Sequence, residues 1–349
     1  SIDSSSIMQL APRLVSSFLR ASIRSVSFTF KVDSPVSFVG ILSPKAVTII
    51  VCAKSGLSFR SIIIFSGYLY PNQFPWNKSW AESTLDKLTL REKIAQMMVY
   101  RMNMHYLNYD SDEWKEIKDL ISSDGIGVLH IWFGETGSSL TMLNKIQSES
   151  KIPILVEADI ESGLGRRYPG AVTLPPMMAI AATGNPKFAY EAGRISAEES
   201  RGVGIHFNLA PVVDVNNNPK NPIINTRSFG EHPDSVILYS RQFIKGLHDH
   251  GMLTTAKHFP GHGDTETDSH SSLAQIPSDS TRLWQIELPP FKNAIESGVD
   301  AIMVAHVNSP EFQIHSDDPA TLSKFWIQDV LRSQTVSYTH LTLPTNREV

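Results

Sequence analysis

The chain has 349 residues, 41% apolar and 19% charged, with a formal net charge of -4. That length holds two average domains or one large (β/α) barrel, and the balance of apolar and charged residues argues against wholesale disorder and against an integral membrane protein. The small negative charge gives no reason to expect a nucleic-acid partner, and a single cysteine, Cys52, excludes an intramolecular disulfide and a cysteine-rich zinc site.

Charge divides the chain near residue 70. Residues 1–70 carry seven Lys/Arg against Asp3 and Asp33, a net +5, and the remainder carries 24 against 33, a net -9. The first segment is rich in serine, its apolar runs at 47–51 and 62–65 are too short to span a bilayer, and no signal peptide fits it cleanly. Residues 1–70 are expected to be a poorly ordered or non-native extension, with a degenerate targeting segment as the alternative.

From residue 75 the pattern is that of a folded α/β protein. Leu85, Leu88, Leu90, Ile94, Met97 and Met98 recur at helical spacing, with Thr89 and Glu92 placed as a capping box. Apolar runs at 127–133, 152–158, 205–213, 253–256 and 301–305 read as buried parallel strands. Between them, 186–202, 234–251 and 284–298 read as helices that end at glycine. Strand alternating with helix implies a parallel α/β fold.

Polar residues choose among such folds. The apolar runs are followed by Glu157, Asp159 and Glu161, by Asp214 and Asn216, by Lys257 and His258, and by His306 and Asn308. A (β/α)8 TIM-type barrel brings all strand C-termini to one face, whereas a doubly wound sheet concentrates function at a switch point and often carries a glycine fingerprint. No G-x-G-x-x-G or P-loop occurs in the folded region, so the barrel is the expected class.

The densest chemistry lies at 257–270, K-H-F-P-G-H-G-D-T-E-T-D-S-H, with three histidines, three carboxylates and a lysine around two glycines and a proline. Asp268 and His270 are spaced so that the carboxylate can fix the imidazole tautomer while the free ring nitrogen moves a proton. His258, His262, Asp264, Asp268 and His270 also suit a metal such as zinc, although Lys257 adds positive charge beside His258 and no H-x-H or H-E-x-x-H is present. Lys257 and His258 as donors, Asp159 as acceptor, and Arg167 and Arg227 as planar donors form the mixture that sugar hydroxyls require.

The 257–270 loop, read as K-H-F-P-G-H-G-D-T-x-x-D-S-H, resembles the signature of bacterial β-N-acetylglucosaminidases of glycoside hydrolase family 3, the type associated with peptidoglycan recycling. Supporting matches follow in order: 159–163 resembles D-x-E-G-G with Ser162 in place of the first glycine, 208–215 resembles N-x-A-P-V-x-D-V, and 227–230 resembles R-S-F-G. The resemblance covers about residues 76–334. It implies His270 as general acid/base with Asp268 as its partner, and Asp159, Arg167, Arg227, Lys257 and His258 as binders of the sugar. The reaction implied is hydrolysis of terminal β-linked N-acetylglucosamine, typically from peptidoglycan fragments, with retention and without metal or organic cofactor. Relatives occur in the cytoplasm and as exported forms, so the compartment stays open.

Retention requires a carboxylate nucleophile, which in the family follows the seventh strand in a segment resembling G-F-x-G-[LV]-[VI]-x-[TS]-D. No such segment is present, and none of Asp317, Asp318 and Asp329 is promoted in its place. Residues 335–349 read as translated adapter or vector sequence, so 71–334 is expected to be a partial barrel of about six of eight strand units, nearly inactive and poorly soluble as it stands. A metal-dependent hydrolase, a phosphorylase and a non-catalytic sugar-binding fragment are the alternative readings.

Overall fold

The computed structural model describes residues 78–269, 272–277, 280–310 and 318–335, and the backbone of five strand segments between 26 and 64. His270 lies outside the described residues, as do 1–25 and 336–349, which hold much of the expected extension and tail.

Six parallel strands carry the fold: β1 (Val99–Met104), β2 (Val128–Gly134), β3 (Leu155–Ala158), β4 (Phe207–Asn208), β5 (Leu253–Phe259) and β6 (Ala301–Val304). They pair in chain order from β1 to β6, each parallel to the next. A doubly wound sheet reverses its strand order at the switch point, so an unreversed parallel order is barrel winding. The barrel class and the six strand units expected from the sequence are both present. Ile62–Ile64 pairs antiparallel with β6, and Val26–Phe30, Val36–Ser43, Ala46–Ser55 and Ser58–Phe59 form a separate antiparallel sheet.

The principal helices are α1 (Lys78–Lys87), α2 (Leu90–Ala95), α3 (Asp112–Asp119), α4 (Thr136–Glu149), α5 (Lys187–Gly202), α6 (Pro233–Asp249) and α7 (Leu288–Glu296). The helical spacing over 85–98 is split because Thr89 takes an extended conformation, ψ 162°, and caps α2. Its side chain accepts from the Glu92 amide while the Glu92 carboxylate accepts from the Thr89 amide, the reciprocal box read from the sequence. Pro233 at the start of α6 supplies the fixed φ of a first helical turn, and Val236, Tyr239, Phe243 and Leu247 recur on its buried face.

Two strands differ from the sequence reading. β1 alternates buried Met102 and Met104 with exposed Arg101 and Asn103, and this polar interruption hides it from a search for apolar runs. The run 205–213 pairs over Phe207–Asn208 and then as a bridge from Val212 to Lys257. Pro211 has no N–H to offer a ladder, so a long apolar run makes a short strand.

Alternation along the strands sorts the core. Leu129, Ile131, Val156, Ala158, Ala256, Ile302 and Val304 face the helices and join Phe243, Leu247 and Phe291 in the main cluster. Phe207, Leu209, Ala301 and Met303 point the other way and pack with Leu155 and Leu253 in a smaller cluster inside the curve of the sheet. Arg101, His130 and Glu157 are in-register neighbours across β1, β2 and β3, so this inner face also carries a polar row.

Candidate active site

The C-terminal ends of β3 and β5 bring their charges together. Lys257 is 2% exposed, and its Nζ donates to Asp159 Oδ1 at 2.8 Å and lies 2.7 Å from Glu161 Oε1. The Arg227 guanidinium grips Glu161 with two bonds, Nε to Oε2 at 2.9 Å and Nη2 to Oε1 at 2.7 Å. A buried ammonium is tolerable only when paired, and here two carboxylates flank it.

Burial would raise both carboxyls, but charge prevails. Lys257, His130 and Arg167 hold Asp159 at about 2 against the raising effects of burial and of Glu161, and Lys257 with Arg227 holds Glu161 well below the usual carboxylate range. Arg167 donates from Nε to the Asp159 carbonyl at 3.1 Å, reaches Oδ2 from Nη2 at 3.5 Å, and stacks 4.1 Å from the Trp132 ring centre. That stack and the Asp159 contacts fix the plane of the guanidinium.

His258 is oriented from both sides. Arg227 can only donate, so the 3.4 Å contact from its Nη2 makes His258 Nε2 the acceptor and leaves Nδ1–H to donate to Asp214 Oδ2 at 2.7 Å. Burial pushes the imidazole down to about 4 against the upward pull of Asp214, so it is neutral at physiological pH. Asp214 is fully buried and also accepts the backbone amides of His258 and His262. One carboxylate thus holds both ends of the 258–262 segment, whose Lys257–His258 peptide is cis.

The rest of the signature loop is tethered through short polar bridges. His262 Nδ1 faces Thr265 Oγ1, and Nε2 faces Ser269 Oγ at 2.9 Å. Asn221 Nδ2 donates to the carbonyls of His262 and Gly263, at 2.7 and 3.1 Å. At Gly263 a Cβ would stand 1.8 Å from the Val215 carbonyl oxygen, so only glycine lets the two backbones meet. In the 159–163 turn, Gly163 has φ +79° and its hydrogen faces the Val172 carbonyl. Ser162 is not among the positive-φ positions, and the turn accepts a side chain there.

Asp159, Arg167, Arg227, Lys257 and His258 therefore stand in one connected network. Asp268 is part-buried beyond His262, and its carbonyl accepts the Ser272 amide at 3.2 Å. Among the described residues no group of three or more His, Cys, Asp or Glu side chains is arranged to hold a metal ion. Asp264, a candidate ligand in the metal reading, is bonded by Arg282 Nε at 3.1 Å.

Four participants were not singled out as site residues from the sequence. Glu161 and Asp214 were visible as polar residues following apolar runs and as members of the 159–163 and 208–215 matches, and their partners lie 66 to 96 and 44 to 48 residues away. His130 gave no signal; its Nδ1 meets Glu157 Oε1 at 3.2 Å, and burial raises that carboxyl. Glu287 reads as an ordinary helix residue and is 1% exposed.

Parallel strands in unreversed order, with charged side chains converging at their C-terminal ends, define a (β/α) barrel protein whose candidate site lies on the face where such barrels work. The chain belongs to glycosyl hydrolase family 3: the model of the family's N-terminal domain matches residues 89–336. The beta-hexosaminidase A of Pseudoalteromonas piscicida is 34% identical over 243 residues, 65% of this chain and 40% of that protein. Among solved structures, the family 3 beta-N-acetylglucosaminidase of Paenibacillus sp. FPU-7 superposes with TM-score 0.66 at 36% identity, covering 71% of this chain and 47% of that one. The beta-glucoside phosphorylase BglX superposes with TM-score 0.68 at 25% identity, covering 76% and 50%. The chain thus spans half or less of the length of each of these proteins.

Proposed function

We propose that the site holds a terminal β-linked N-acetylglucosamine and that the protein to which this domain belongs hydrolyses its glycosidic bond, with peptidoglycan fragments as the natural source. The observation that carries the reading is the Asp159–Lys257–Glu161–Arg227 network at the strand ends beside a neutral, oriented His258. It offers ionised acceptors, charged donors and an imidazole within a few ångströms, the complement that vicinal sugar hydroxyls need. The names of the relatives support the same chemistry.

In this reading Asp159, Arg167, Lys257, His258 and Arg227 bind the sugar, and Asp268 and His270 supply general acid/base catalysis from the loop. Asp214 holds the His258 tautomer. No described residue is assigned as the nucleophile.

The test is binding of N-acetylglucosamine by calorimetry, together with hydrolysis of aryl β-N-acetylglucosaminides by the reading frame that contains this domain. Asp159→Ala is expected to weaken binding about 10- to 100-fold, the worth of one or two charge-assisted hydrogen bonds. His270→Ala is expected to slow turnover far more than binding, with the loss shrinking for leaving groups that need no proton; equal loss across leaving groups would remove the acid role. The likeness to a phosphorylase favours one competing reading, which release of N-acetylglucosamine 1-phosphate in phosphate buffer would select.

A further inference from the structure

Beneath the signature loop lies a carboxyl group that the sugar-binding reading does not use. Glu287 ends a π-helical turn, Leu283–Glu287, that leads into α7. It is 1% exposed, and its Oε1 accepts Asn217 Nδ2 at 3.2 Å. Its Oε2 and the Asn217 Oδ1 are both buried without a hydrogen-bond partner. Gly261, between His258 and His262, rests directly on it: with φ +134°, a Cβ there would stand 2.7 Å from Glu287 Oε2 and 2.8 Å from Glu287 Cβ.

We propose that Glu287 is a positioning residue which, as a neutral carboxylic acid paired edge to edge with the Asn217 carboxamide, seats the 258–264 loop so that His258 and His262 stay on Asp214. A carboxylic acid and a carboxamide can join by two hydrogen bonds, N–H to one oxygen and O–H to the other. The first is present, and the two atoms left over are the ones the second would unite. A carboxylate would instead turn two lone pairs toward the amide oxygen and leave a buried charge unpaired.

The surroundings favour the neutral form. Burial pushes the Glu287 carboxyl up to about 8; the Asn217 bond opposes this, and Asp214 and Asp264 add to it. Arg282, the cation that faces this cluster, acts in the lowering direction and is bonded to Asp264 at 3.1 Å. The sign follows from linkage: a group held at about 8 in the fold and near 4.5 in the unfolded chain favours folding fully below 4.5. That contribution falls about tenfold in equilibrium constant per pH unit between the two values and is gone above the upper one.

This proposal rests on the sugar-binding reading only for the consequence to the ligand. Hydrogen exchange of the 261–265 amides and the affinity for N-acetylglucosamine are to be measured from about pH 6 to about pH 9.5 in the full chain, for wild type, Glu287→Gln and Glu287→Ala. Glutamine can form the same two-bond ring at every pH. Wild type is expected to lose loop protection, relative to Glu287→Gln at the same pH, by about tenfold per unit as pH rises toward about 8 and to level off above it, with sugar affinity falling in parallel. Glu287→Ala is expected to be loose at every pH, and Glu287→Gln tight throughout. Parallel profiles for wild type and Glu287→Gln between about pH 6 and about pH 8 would overturn the proposal, as would undiminished protection in Glu287→Ala. Absence of sugar binding at any pH would remove the sugar-binding reading, and the exchange profiles would still decide the role of Glu287.

Discussion

Lys257 shows how much of this site depends on one buried charge. It holds down two carboxyls that burial would raise. Asp159, at about 2 in the fold against 3.8 unperturbed, contributes stability fully above pH 3.8 and loses it as pH falls through 2. At about 1.4 kcal/mol per unit, that contribution is about 2 kcal/mol at neutral pH. Lys257→Met should cost about 3–5 kcal/mol at pH 7, because it removes the cation between two part-buried anions and leaves Arg167 and Arg227 alone to offset them. The gap from wild type should narrow near pH 4, where the stranded carboxyls take up protons. Urea unfolding at both pH values measures it, and an equal gap would show that Lys257 stabilises by packing alone. Among these residues, Lys257, His258 and Asp159 were legible because each follows an apolar run at a strand end. Arg167 and Arg227 were legible as company for them. Glu161 follows the same run, but nothing local says that it shares the ammonium with Asp159.

At the scale of elements, the α2 cap and the signature loop make a useful contrast. The cap is a local device, written in four consecutive residues and realised as written. Thr89→Ala should cost about 1 kcal/mol of stability and leave sugar binding unchanged. The loop is local in sequence but is held from outside by Asp214, Asn221 and the Val215 backbone. Gly263→Ala, which drives a Cβ into that backbone, should cost about 1–3 kcal/mol and also weaken sugar binding. Thermal melts with parallel titrations would separate the two, and an unchanged affinity in Gly263→Ala would show that the loop adapts. The strands were less legible than the helices. β1 is masked by Arg101 and Asn103, and the 205–213 run looks longer than the strand it makes because Pro211 breaks the donor ladder.

For the whole molecule, sequential parallel pairing places β3, β4 and β5 in the middle of the sheet, and among the described residues β1 pairs only through β2. Amide exchange should therefore be slowest in β3 and β5 and faster along β1, because opening an outer strand breaks one ladder and opening an inner strand breaks two. A mass-spectrometric exchange map checks this, and protection of β1 equal to that of β5 would require a further partner on its outer edge.

Periodicity and strand-end chemistry were enough to establish an α/β chain, to favour a barrel over a doubly wound sheet, and to mark 257–270 as the candidate reactive loop. Those signals are local: a hydrophobic period, a cap and a motif are each complete within some fourteen residues. Which charges meet is set by strand order and register, and that is not local. Lys257 finds Glu161 across 96 positions because β3 and β5 end on the same face, and Asp214 finds His262 because the parallel Val212–Lys257 bridge runs the two segments side by side. Glu287 reads as any helical glutamate in the sequence, and only the fold, which buries it beneath Gly261, makes its proton part of the structure.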